Sequence, residues 1–93
     1  MSEDPNGRSR RVLRWAGVDG RLQHAFGLSV RAQREQRGLS QEGFADVLGV
    51  HRRYLGGLER GEHNLTLGSV ERIADRIGID AIELLSTHVP PVP

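Results

Sequence analysis

At 93 residues the chain has room for one domain, and 37% hydrophobic content supports a small helical core whose marginal burial a dimer would extend. With no cysteine, disulfides and thiolate metal sites are excluded, and no apolar run approaches the roughly 18–20 residues of a membrane span. The net charge of +1 carries little information by itself. Its distribution carries more, with eleven arginines against seven acids in residues 1–60 and two against five in residues 61–93.

Residues 1–11, MSEDPNGRSRR, combine Pro, Gly, Ser and charge without apolar periodicity and read as loosely attached. Arg8, Arg10, Arg11 and Arg14 form a basic cluster with no acid between Pro5 and Val18. One reading is an arm that touches phosphates or enters a minor groove, and the other is a solvated tail. Val12, Leu13, Trp15, Ala16 and Val18 make a short apolar patch, in which Trp15 reads as a packing anchor. Arginines here precede no hydrophobic segment of the kind a secretory signal needs, so the expectation is a cytoplasmic protein.

The spacing predicts a first helix from about Arg21 to Arg37, with Leu22, Ala25, Phe26, Ser29, Val30 and Gln33 on one face. Gly27 is expected to weaken it locally. Gly38 and Leu39 turn the chain into Ser40, a good N-cap, whose hydroxyl can accept an orphan N–H of the first turn. Phe44, Ala45 and Leu48 then share a helical face, and Gly49 supplies the residue tolerant of φ > 0 that ends the helix. A third helix is predicted from about Arg52 to Arg60, with Leu55 and Leu58 inward and Arg52, Arg53, Tyr54, Gly56 and Gly57 on its other sides. Two short helices across a tight turn allow the second to lie in a major groove with its N-terminal end toward base edges. Thr66 caps a fourth helix that takes Leu67, Val70, Ile73, Ala74 and Ile77 to the core, and Gly78 ends it. Asp80 caps a fifth, with Ile82 and Leu85 turned inward. Pro90 and Pro91 stop helix beyond about Thr87.

The pieces GLSQEGFADVLGV, YLGGLERG and LGSVERIADRIGI, in that order, resemble the lambda-repressor-like helix-turn-helix family, also called XRE or Cro/repressor type. The resemblance covers about Phe26 to Leu85. Within the family, RRYLGGLERGEHNLTL is similar to a sub-group that includes the controller proteins of restriction–modification systems. It implies an all-α fold, a compact five-helix bundle over residues 21–86, flanked by the N-terminal extension of residues 1–20 and a Pro-rich tail of residues 87–93. It also implies double-stranded DNA as partner, bound as a homodimer, and no cofactor.

Family positions transfer residue by residue. Arg52 and Arg53 match positions that touch base edges, and Tyr54 is a candidate for a thymine methyl or a phosphate. Gln41 matches the residue at the start of the second helix, where the helix N-terminus approaches a phosphate. Asn64 is the donor expected from the Glu62–His63–Asn64 loop, with Glu62 pointing away from phosphate. His51 takes the N-cap position of the third helix, either as a phosphate ligand or as a tolerated cap. Arg10 and Arg11 of the arm are further candidates for phosphate. Arg34 matches a position that pairs with an acid, here Glu59, as a structural ion pair. The last helix commonly makes the dimer contact, which places Ile79, Ile82 and Leu85 there.

No enzyme is expected. His24, His51, His63 and His88 have no H-x₃₋₅-H or HExxH spacing, and no Ser–His–Asp set or glycine-rich phosphate loop stands in a supporting motif. The expected function is sequence-specific regulation of transcription, most simply repression, with activation an alternative sign. The rival from another class is a protein-interaction module, such as an antitoxin, bound to a protein partner.

Overall fold

The computed structural model describes residues 20–88. Expectations for Arg8, Arg10, Arg11, Arg14, Trp15 and the tail from Val89 onward lie outside those residues. Among the described residues all regular structure is helical: α1 (Arg21–Gln36), α2 (Gln41–Leu48), α3 (Arg52–Glu59), α4 (Leu67–Ile77) and α5 (Ala81–Ser86). None is long and apolar enough to cross a membrane.

Capping explains where three of the helices begin. The Ser40 hydroxyl accepts from the Gly43 N–H at 3.0 Å, Thr66 from Ser69 at 3.0 Å, and the Asp80 carboxylate from Ile82 and Glu83 at 3.0 and 3.2 Å. Each bond satisfies a first-turn N–H that the helix itself leaves open. At the α2–α3 turn Gly49 sits at φ +73°, where a side chain would be strained, and the chain reverses within three residues.

Phe26 and Val30 of α1, Phe44, Ala45 and Leu48 of α2, Leu55 and Leu58 of α3, and Leu84 of α5 form one buried core with Val70, Ile73, Ala74 and Ile77 of α4. Enclosing a large apolar side chain of this kind contributes roughly 1.5–3 kcal/mol. α1 packs against α3 and α5, α2 against α3 and α4, and α4 against α5. The helix-turn-helix pair is therefore held from behind by both of the long helices.

Three expected core residues are exposed instead. Leu22 is 52% and Leu67 78% exposed. Both have the right helical phase, three residues before buried Ala25 and Val70, but each lies in the first turn of its helix and overshoots the end of the core. Ile82 is 70% exposed, and Leu84 is the buried residue of α5. At about 100° per residue, Ile82 falls nearly opposite Leu84. Ile79 and Leu85 are half-buried against the core.

Gly27 does more than weaken α1. A Cβ there would collide with the Leu58 carbonyl oxygen and stand 2.9 Å from that of Glu59. The missing side chain is what lets α1 seat directly on the backbone of α3. Gly56 and Gly57, expected on outward sides of α3, are both buried. The Gln41 and Arg60 side chains lie beside Gly56, and the His63 ring fills the space at Gly57.

Candidate nucleic-acid interface

α3 has two unlike halves. At its start, His51 makes no side-chain cap bond, so no side chain covers the open N–H groups of the first turn. Arg52 and Arg53 follow, both exposed. Among the described residues neither is in an ion pair. A guanidinium presents a fork of donors that matches two acceptors on one edge, the pattern that guanine offers in a major groove.

The far half is fixed by a polar cluster. Glu59, whose side chain is 4% exposed, accepts from Arg34 Nε at 2.8 Å, Arg34 Nη2 at 3.1 Å and Gln41 Nε2 at 3.0 Å. Arg34 Nη1 donates to the Leu39 carbonyl at 3.1 Å. One carboxylate thus ties α1, α2, α3 and the α1–α2 turn together, with its charge matched and its lone pairs used. The hydrogen bond to Glu59 holds the Arg34 guanidinium above its ordinary pKa, against the opposite effect of burial.

This cluster engages the Gln41 side chain. Its amide, expected at a phosphate, donates to Glu59 instead.

Tyr54 is half-buried and stacks on His63, with ring centroids 4.5 Å apart and planes inclined by 18°. His63 Nε2 also lies 3.2 Å from the Tyr54 carbonyl oxygen. These contacts pin the loop after α3 back onto α3, and Gly57 leaves the room for them. At the other side of that loop, Asn64 Oδ1 accepts from Gln23 Nε2 of α1 at 2.7 Å, which orients the Asn64 amide group. Glu62 pairs with Arg60 at 2.9 Å, both exposed. Gln23 and His63 were not singled out in the sequence. The available signal was a glycine pair inside a short helix followed by a His, since buried helical glycines mark close approach.

Arg52, Arg53 and Tyr54 therefore lie on α3, the Gln41 side chain lies beside Gly56 of α3, and Asn64 sits in the following loop against Gln23 of α1. Ile79, Ile82 and Leu85 belong to the α4–α5 corner, where Ile82 is exposed and the other two are half-buried.

Residues 30–84 match a family model described as helix-turn-helix. The control protein C.SmaI of Serratia marcescens is 38% identical over 58 residues, covering 62% of this chain and 69% of that protein. The control protein C.BamHI of Bacillus amyloliquefaciens is 36% identical over 61 residues, covering 64% and 75%. Among solved structures, the restriction-modification controller protein C.AhdI from Aeromonas hydrophila aligns with a TM-score of 0.59 at 39% identity, over 67% of this chain and 94% of that one. The hypothetical transcription factor NHTF from Neisseria aligns with a TM-score of 0.63 at 33% identity, over 69% and 74%. With an all-helical bundle built around a helix-turn-helix, and with these relatives, the chain belongs to the XRE-type helix-turn-helix family of DNA-binding transcriptional regulators.

Proposed function

We propose that the protein binds a near-palindromic operator as a homodimer and controls transcription from it, in the manner of a restriction–modification controller protein. Each subunit lays α3 in a major groove. Arg52 and Arg53 read base edges, and Tyr54 contributes an apolar or phosphate contact. The first turn of α2 at Gln41, the Asn64 amide and His51 meet the backbone. These phosphate contacts set position, whereas the base contacts carry the sequence information. Half-sites read by such a dimer lie about 34 Å apart. The dimer contact is made by α5 and its surroundings, with Ile82 at its centre and Ile79 and Leu85 beside it. Repression by blocking polymerase is the simplest outcome, exerted in the cytoplasm on nucleoid DNA.

The observation that carries this reading is the pair of exposed arginines, free of ion pairs among the described residues, on the uncapped first turn of a helix whose far half is locked into the core. Its test is selection of bound sequences from a random duplex pool, followed by titration of the best site at two salt concentrations. The expected result is a palindromic site held far more tightly than random DNA at both. Uniform, steeply salt-dependent binding with no enriched sequence would mean that the arginines supply affinity without preference, and the reading would fall. Sedimentation of Ile82→Glu checks the dimer, with monomers expected at concentrations where the parent chain is paired.

A further inference from the structure

A groove of about 480 Å³ opens between the α2–α3 turn and α4. It has an apolar floor made by Leu48, Val50 and Ile73, with the Tyr54 ring at one side. Its rim is cationic. Arg76 lies across the turn, its Nη2 3.3 Å from where a Gly49 Cβ would stand, and Arg72 donates from Nη2 to the Ser69 hydroxyl at 3.2 Å. Neither arginine is in an ion pair among the described residues, and no carboxylate lines the groove.

We propose that this groove is a binding site for a small organic acid with an aromatic or branched apolar body. Volume argues for a small molecule, since ligand sites for such compounds span about 300–1,000 Å³. The unlike surfaces argue for the chemistry. Two guanidinium forks outside any ion pair among the described residues offer donors to one carboxylate, while the floor offers dry contact to the rest of the molecule. A bare phosphate leaves that floor unused. His51 and Tyr54 also line the groove, so an occupant adjoins the first turn of α3 and alters how it meets DNA. This consequence rests on the DNA-reading role proposed above, whereas binding to the free protein does not.

The test is titration of the full chain, without DNA, with salicylate while backbone amide resonances are followed. Saturable shifts are expected at Gly49, Val50, Tyr54 and Ile73. The uncharged analogue salicylamide and the variants Arg72→Gln and Arg76→Gln should each weaken binding by roughly tenfold or more. Both arginines are exposed, so the remaining resonances should stay in place; if a variant loses its fold, the salicylamide comparison on the parent chain decides. Shifts that stay linear to about 10 mM, or salicylamide saturating as readily as salicylate, overturn the proposal. So does inorganic phosphate reproducing the same shifts with the same affinity, which makes the rim an anion subsite alone. A second titration with the selected operator present reads the coupling. Unchanged DNA affinity at saturating salicylate removes the regulatory consequence and leaves the site.

Discussion

The first and last turns of α3 solve opposite problems with residues only a few positions apart. The last turn is buried, neutralised and crowded: Glu59 is matched by Arg34 and Gln41, and the backbone of Leu58 and Glu59 touches α1 where Gly27 has no side chain. The first turn is open, with two exposed arginines and an N-cap that makes no side-chain bond. Two glycines in an eight-residue helix cost it about 1–2 kcal/mol in intrinsic propensity. A free helix of this composition and length would not form in water. α3 is therefore a helix because its far half is clamped and Leu55 is packed in the core, which leaves Arg52 and Arg53 of the first turn exposed.

The strongest way to break that contrast is to push α1 off the clamp. In Gly27→Ala the new methyl meets backbone oxygen, which cannot rotate away, so the helices must separate. Overpacking costs about 1–3 kcal/mol and occasionally more, and against backbone that cannot rotate away it reaches about 3–4 kcal/mol, offset by a gain of about 1 kcal/mol from helix propensity. A net loss of about 2–3 kcal/mol is expected in urea unfolding, at unchanged m-value. A neutral or stabilising result would show that Gly27 is there for something other than the α1–α3 contact. Glu59→Gln comes next. It leaves the Arg34 guanidinium, 15% exposed, without its countercharge, and a loss of about 2 kcal/mol is expected in the same measurement. Arg34→Met in the Glu59→Gln background should recover part of it, since an unpaired charge is then no longer buried.

At the other end the signs reverse. Arg52→Ala and Arg53→Ala should leave the unfolding midpoint in place. On the proposed reading, each lowers discrimination at a defined operator position by about 1–3 kcal/mol, measured by competition between the selected site and its single-base variants. A uniform loss across all sequences would reassign that arginine to phosphate. A loss of stability comparable to that of Glu59→Gln would show that the near half is held as firmly as the far half, and the contrast would dissolve.

What could be read from the chain follows the range of the forces involved. Ser40, Thr66 and Asp80 act within three residues, so their caps were legible, as were the stops at Gly49 and Gly78. The stripe Val70, Ile73, Ala74 and Ile77 was legible because eleven residues fix the phase of a helix. Six do not, and Ile82 came out on the wrong side of α5. Leu22 and Leu67 had the right phase but periodicity says nothing of where the core ends. For Gly27, expected only to weaken α1, and for Gly56 and Gly57, expected away from the inward side of α3, the cause is different. The reason for each is a neighbour distant in sequence or across a loop, and propensity sees only the helix itself. The Arg34–Glu59 pairing was inferred from family resemblance, because 25 residues of chain separate the partners. The Gln41 amide shows the same limit at the interface. Its position at the start of α2 pointed outward to phosphate, and a carboxylate on another helix engages it.

The smallest effect expected lies just past the clamp, at Arg60 and Glu62. Their ion pair measures 2.9 Å, yet both side chains are more than half exposed, so solvent and salt screen it. The hydrogen bond from Arg60 holds the Glu62 carboxyl below its ordinary value of 4.5, outweighing the slight desolvation that would raise it. A carboxyl with a depressed folded-state pKa contributes stability that is present above its unfolded value and is lost as pH falls through the lowered folded value. Arg60→Gln should therefore return the Glu62 titration midpoint, followed by carboxyl-carbon NMR, toward 4.5, and about 1 M salt should do part of the same in the parent chain. The unfolding midpoint at neutral pH should not move measurably. This pair lies one residue beyond Glu59 and has equally good geometry, but its carboxylate stands in water rather than among packed helices. If Arg60→Gln destabilised the protein as much as Glu59→Gln, the clamp would extend into the loop, and burial would not be what separates a structural ion pair from a surface one here.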